Sequence, residues 1–271
     1  MGRMTLRLGG GLLTWLVVLL ALLPVLWTIL SSFKSLRDIV SPIPVLVFQP
    51  TLENYRTVLT TPAVRDGLVN SIIVVGSALL IGVVLGVPAA YALARFVRRL
   101  KGDIQFFVLS LRFMPPVAVA LPFIALWLDL GLYDTLIAVI VTYCIVTIST
   151  IIWLGVPAFE QVPRAIEEAA ALEGYGPFAV FWKVALPVAA PSLVGAVLFT
   201  FVITWNELLI ALALTSRNVT LPVVAAGFTT LGMEVPWGVI NASSVVLALP
   251  PLILVGLIMR FIDRYFSRPA R

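Results

Sequence analysis

Residues 12–33 run without a charged side chain, and stretches of this kind recur along the whole chain. About 20 apolar residues in a helix are needed to cross the hydrocarbon of a bilayer. Six stretches qualify, at residues 12–33, 68–94, 104–128, 132–158, 188–215 and 240–262. Inside lipid every backbone N–H and C=O must be paired within the protein, which leaves helices as the natural spanning element for segments this long. The sequence therefore predicts an all-α integral membrane protein with six transmembrane helices. Composition agrees: 61% of residues are hydrophobic and 11% charged, and mean hydropathy is +1.10. A water-soluble domain carries about a quarter charged residues.

Several function classes drop out at once. The chain has no histidine, which removes His general bases, Ser-His-Asp triads and His-ligated metals, and no metal site is expected. Its one cysteine, Cys144, lies in an apolar run and has no intrachain partner. No catalytic residues are assigned, and a membrane-embedded enzyme lacks paired carboxylates in the spans. No Gly-x-x-x-x-Gly-Lys-Ser/Thr phosphate loop occurs, so any ATP hydrolysis must be carried by another subunit.

The net charge of +5 is explained by topology and not by nucleic acid. Arg3 and Arg7 precede the first span, and Arg95, Arg98, Arg99 and Lys101 crowd the loop after the second. Arg164 and Lys183 lie between the fourth and fifth, and Arg260, Arg264, Arg268 and Arg271 sit at the end. Excess Lys and Arg mark cytoplasmic segments, so both termini are expected in the cytoplasm. The first apolar run has a signal-peptide flavour but is too long and lacks a clear cleavage site, and it reads as an uncleaved anchor.

Two loops are long. Residues 34–67 carry Pro42, Pro44, Pro50 and Pro62 and read as an extracytoplasmic loop with at most short helices. Residues 159–187 form a cytoplasmic insertion that reads as two short helices. Pro163 suits a first helical turn, Glu167 and Glu168 favour the positive end of the helix dipole, and Ala169, Ala170 and Ala171 are strong helix formers. Gly174 is placed as a C-terminal stop. A second helix is expected from Pro177, with Pro187 leading into the fifth span. The low-relief alanine surface and acidic pair suit docking into a groove on a partner. An amphipathic helix at the lipid headgroups is the alternative, although such helices carry a basic polar face where this one is acidic.

Glu168-Ala169-Ala170, three residues, Gly174, nine residues and Val184-Ala185-Leu186-Pro187 resemble the EAA loop of ABC-importer permeases. Ser31-Ser32-Phe33-Lys34, Asn70-Ser71, Ala90-Tyr91-Ala92-Leu93-Ala94-Arg95 and Trp205-Asn206-Glu207 are similar to the MalG-like carbohydrate-uptake branch, binding-protein-dependent and of type I. Arg112-Phe113-Met114-Pro115-Pro116 is similar, over a short match, to polyol and glycerol importers of this group.

The resemblance implies a permease subunit, not an enzyme, forming the translocation path for a small carbohydrate or polyol. An ion-coupled secondary transporter is the alternative, although Glu207 stands nearly alone as an acidic relay. It implies that Glu167, Glu168, Ala169, Ala170, Gly174, Leu186 and Pro187 couple to the ATPase subunit. It also implies a second permease chain in a heterodimer, two ABC ATPase subunits that bind the ATP and Mg, and an extracytoplasmic solute-binding protein. No cofactor is expected in this chain, and its surroundings are the lipid of a bacterial or archaeal inner membrane. The expected organisation is an N-terminal helix and loop at 1–69, a transmembrane core at 70–264 and a cytoplasmic tail at 265–271.

Ionisable groups inside a span normally face protein or water, because a charge at the bilayer centre costs about 2.5–3.5 kcal/mol at least. Arg112, Trp205, Asn206 and Glu207 therefore either line a substrate path or, for the last three, make a structural helix–helix bond. Pro115-Pro116 either frees backbone groups beside a cavity or simply kinks the third span. Gly82 and Gly86 read as a close-packing pair.

Overall fold

The computed structural model describes residues 2–230 and 235–266. It is built from helices, with no strand among the described residues: α1 (Gly2–Ser32), α2 (Leu36–Ile39), α3 (Glu53–Thr60), α4 (Pro62–Arg95), α5 (Lys101–Phe113), α6 (Pro116–Asp129), α7 (Leu136–Glu160), α8 (Arg164–Leu172), α9 (Pro177–Val180), α10 (Leu186–Trp205), α11 (Leu209–Leu214), α12 (Leu221–Gly227) and α13 (Trp237–Phe266). Among the described residues, five helices are long and apolar enough to cross a membrane, and the bent pair α5–α6 brings the number to six when it is taken as one broken span. The expected fold class is borne out.

Three boundaries differ from the sequence expectation. The second span begins at Pro62 and not Leu68, because proline fits a first helical turn and adds a polar extension carrying Arg65 and Asp66. The third span is not one helix: α5 and α6 meet at 84°. Met114 and Pro115 are extended there, since a residue before proline is pushed out of the α region. The fifth span ends at Trp205, ten residues short of the expected Thr215, and resumes as the short α11.

The second helix of the 159–187 insertion is also not separate. It runs from Pro177 through a wide π-turn at Phe181–Ala185 directly into α10. Pro187 has no N–H for the carbonyl four residues back, and its ring would strike it in a regular helix. The π-turn, in which Leu186 N–H reaches Phe181 O, accommodates the proline without a break.

Two compact units divide the chain. The first comprises Met1–Arg65 and Val224–Leu249. Within it, the end of α1 anchors α3. Ser32 Oγ lies 2.7 Å from Tyr55 Oη, and Asn54 Nδ2 donates to the carbonyls of Ser32 and Lys34, both at 2.9 Å. The buried Lys34 ammonium sits 4.5 Å from the Trp27 ring centre and 5.1 Å from that of Phe48, a cation–π arrangement. Thus Ser31-Ser32-Phe33-Lys34 closes the loop that follows it.

The second unit comprises Asp66–Val223 and Pro250–Arg271. Its centre is α7, which is 50% buried, the largest share among the five single-helix spans. Helix α4 packs tightly against it: a Cβ on Gly82 would stand 2.9 Å from Thr147 Cβ, and one on Gly86 2.9 Å from Ile151 Cγ2. Reciprocally, a Cβ on Gly155 would meet Ala90 Cβ at 2.8 Å. These contacts bear out the packing role of Gly82 and Gly86.

At one end of this unit, Asn70 Nδ2 donates to Val219 O at 2.9 Å, and Ser71 Oγ accepts Leu221 N–H at 2.8 Å. Asp134 adopts φ 61° and closes a clasp on the 216–218 turn. Its Oδ1 accepts the amides of Ser216, Arg217 and Asn218 at 2.8, 3.0 and 3.1 Å. Burial opposes ionisation of this carboxyl. The three amide bonds and one from the Ser216 hydroxyl outweigh that effect and hold its pKa down at about 2.

Candidate functional site

Helix α8 and its flanks form the first candidate site. Pro163 sits just ahead of the helix, and Gly174 ends it at φ +91°, where a side chain would be strained. Gly174 N–H bonds Ala171 O at 3.0 Å and Tyr175 N–H bonds Ala170 O at 3.1 Å, the paired bonds of a Schellman stop. The expected helix and its glycine terminator are both present.

Glu168, Ala169, Gly174 and Pro187 are exposed, Leu186 is half-buried, and Glu167 and Ala170 face inward. Leu172, which the sequence analysis did not single out, is 91% exposed on the same helix. An isolated leucine among acidic residues was the only signal for it.

Glu167 is held by groups that the sequence analysis assigned elsewhere. Arg95, read there as a topology signal, approaches it with Nη2 at 2.7 Å and Nε at 2.9 Å from Oε1. Tyr91 Oη donates to Glu167 Oε2 at 3.0 Å. Arg95 Nη2 also donates to Phe159 O at 2.7 Å and Val162 O at 2.8 Å. These carbonyls lie at and just beyond the end of α7, where helical acceptors lack intrahelical donors and a cation is favoured. The rings of Phe159 and Phe181 pack 5.2 and 5.0 Å from that of Tyr91 and seal the apolar side. Nearby, Lys101 pairs with Glu160.

The second candidate site is a cavity of about 180 Å³ inside the second unit. Arg112, Met114, Pro116, Thr142, Glu207 and Ile210 are among the residues that line it. Both helix breaks, at Met114–Pro115 and at Asn206–Leu208, therefore open onto one space, an arrangement in which freed backbone groups can meet a solute. Arg112 Nη1 donates to Thr150 Oγ1 at 3.1 Å, and its guanidinium stands 5.6 Å from the Phe199 ring centre. Among the described residues it has no carboxylate within ion-pair distance.

Glu207 accepts the Tyr143 hydroxyl at 2.8 Å and the amides of Ile210 at 3.0 Å and Ala211 at 3.3 Å. It thus caps the start of α11 while facing the cavity. Trp205 and Asn206 do not line this space: Trp205 is buried beside Phe201, and Asn206 Nδ2 donates back to Val202 O at 2.8 Å. Of the four residues proposed from sequence for the path, the structure brings Arg112 and Glu207 together and leaves the other two aside. Thr142 and Tyr143 were missed, because hydroxyls on an apolar helix carry no spacing signal.

Residues 82–271 match the family model described as binding-protein-dependent transport system inner membrane component. The chain is 34% identical over 250 residues to the trehalose transport system permease protein SugB of Mycobacterium tuberculosis, covering 90% of each chain. It is 31% identical over 251 residues to the trehalose/maltose transport system permease protein MalG of Thermococcus litoralis, covering 91% of this chain and 90% of that one. Among solved structures, it is similar to a bacterial ABC transporter involved in import of the acidic polysaccharide alginate. That likeness has a TM-score of 0.74, 20% identity and 98% coverage of both chains.

Proposed function

The chain belongs to the family of binding-protein-dependent transport system inner membrane components, and from that premise we propose that it is the carbohydrate-import permease of an ATP-driven transporter. Support for the solute class comes from the trehalose and trehalose/maltose permeases it is similar to.

The observation that carries the coupling reading is the exposed face of α8, with Glu168, Ala169 and Leu172 outward and a glycine stop at φ +91°. That face docks on an ABC ATPase, two copies of which bind the ATP and Mg. Gly174 and Pro187 fix its flanks, while Glu167, Ala170 and Leu186 support it from within. Arg112 and Glu207 line the solute path, completed by a second, different permease chain, because a cavity of about 180 Å³ is smaller than a typical ligand pocket. Residues 70–264 form the transporting core. Both termini lie on the cytoplasmic side, and an extracytoplasmic binding protein delivers the solute. Transport then alternates between inward- and outward-open states driven by ATP.

The test is reconstitution of the full complex in proteoliposomes and measurement of ATP turnover against a panel of disaccharides and polyols. Stimulation by a binding protein loaded with trehalose or maltose is expected. Uptake that continues with the ATPases removed and follows a proton gradient instead refutes the reading in favour of an ion-coupled transporter.

A further inference from the structure

We infer that Arg95 is a positioning residue for coupling, tying the ends of α4 and α7 to the first turn of α8 so that displacement of α8 reaches two spanning helices together. This rests on the reading of α8 as the docking helix.

The basis is the number of separate elements that meet on one guanidinium. Arg95 ends α4, Phe159 O and Val162 O belong to the end of α7 and the turn beyond it, and Glu167 belongs to α8. Tyr91, one helical turn before Arg95, takes the second oxygen of the same carboxylate. The Arg95 and Glu167 side chains are only 8% and 11% exposed.

Separating α8 from α4 would leave a buried charge without a partner, which is strongly unfavourable. The three elements therefore travel as one body. Neither Arg95 nor Glu167 presents its charge to an approaching protein, so this role is distinct from docking, for which Glu168 and Leu172 are exposed. A lysine cannot substitute, because a point charge does not span a carboxylate and two carbonyls as a planar fork does.

The test uses the complete complex with ATPases, partner permease and binding protein, reading ATPase co-purification, ATP turnover and solute uptake on one preparation. The solute is whichever disaccharide of the panel above gives the highest turnover. With Arg95→Lys, ATPase retention at wild-type stoichiometry is expected, with solute moved per ATP falling at least about tenfold. Tyr91→Phe, which removes one hydroxyl and no charge, is expected to lower the ratio about threefold. A readout independent of solute is the distance between nitroxides at position 85 of α4 and position 173 at the end of α8, both exposed and outside the docking face. It should be a single narrow distribution in the wild type and split in Arg95→Lys.

A wild-type ratio and an unsplit distance in Arg95→Lys overturn the tie. Loss of the ATPase from that variant also overturns it, since Arg95 would then be building the docking face. The docking reading fails separately, if Glu168→Lys keeps its ATPase.

Discussion

Glu207→Ala removes an acceptor that serves two parts of the second unit at once. The carboxylate receives the Ile210 and Ala211 amides at the start of α11 and the Tyr143 hydroxyl from α7. Losing the cap costs about 1 kcal/mol. Tyr143 is 1% exposed, so leaving its hydroxyl with only the longer bond to the Glu207 carbonyl, at 3.3 Å, costs a further 1–3 kcal/mol or so. The expected loss is therefore about 2–4 kcal/mol.

Glu207→Gln retains a carbonyl acceptor and is expected to lose about 1 kcal/mol. Tyr143→Phe removes the donor, so adding it to Glu207→Ala should cost less than the two changes separately, by about 1–2 kcal/mol. The assay is reversible unfolding in mixed micelles across this double-mutant cycle, with solute-stimulated ATP turnover on the same preparations. Strict additivity refutes the Tyr143–Glu207 bond, and wild-type stability in Glu207→Ala refutes the capping assignment. Because Glu207→Gln preserves most of the fold, any change it makes in solute affinity reports on the cavity.

Gly174→Trp and Glu168→Lys are each expected to abolish transport while membrane insertion persists, as checked by uptake and membrane fractionation; wild-type uptake by both would remove α8 from coupling. Gly174→Ala should cost roughly 1–2 kcal/mol from the φ +91° backbone alone, since nothing lies within 4 Å of its added Cβ; unchanged unfolding of that variant would refute the strain. Gly155→Ala should lose about 1–2 kcal/mol against Ala90 even after the helix-propensity gain, whereas Gly76→Ala, with open space around it, should lose nothing. Asp134 has a folded pKa near 2, below its ordinary value of about 3.9. The clasp should therefore be fully present above about pH 4 and lost as pH falls through about 2. Protection of the Ser216, Arg217 and Asn218 amides against exchange should follow that window in the wild type and be flat in Asp134→Asn.

The spans were legible in the sequence because crossing hydrocarbon demands a long apolar run, a requirement that composition alone satisfies or fails. The stop at Gly174 was legible for an equally local reason, since a left-handed residue after an alanine-rich turn has few alternatives to glycine. Pro187 misled because its effect depends on the widening of the turn before it, which no local pattern announces. The premature end of the fifth span at Trp205 was hidden inside apolar sequence that continues to Leu214. Arg95 was seen but not understood: a basic residue at the end of a span looks the same whether it meets headgroups or, as here, a carboxylate 72 positions away. Arg112 and Glu207 were identified individually, but only folding brings residues from two broken helices to one cavity.

The continuity of the helix through Pro187 has a mechanical consequence. From Pro177 to Trp205 it is 29 residues long, about 43 Å at the usual rise. It starts just past α8 and finishes one residue before Asn206 and the carboxylate of Glu207. A lever of that length, tipped by about 5° at one end, sweeps its far tip through roughly 4 Å. Had Pro187 broken the helix, any tilt applied at its start would be absorbed at a hinge there. Unbroken, a helix of this length would carry such a tilt to the mouth of the cavity as a shift larger than a hydrogen bond.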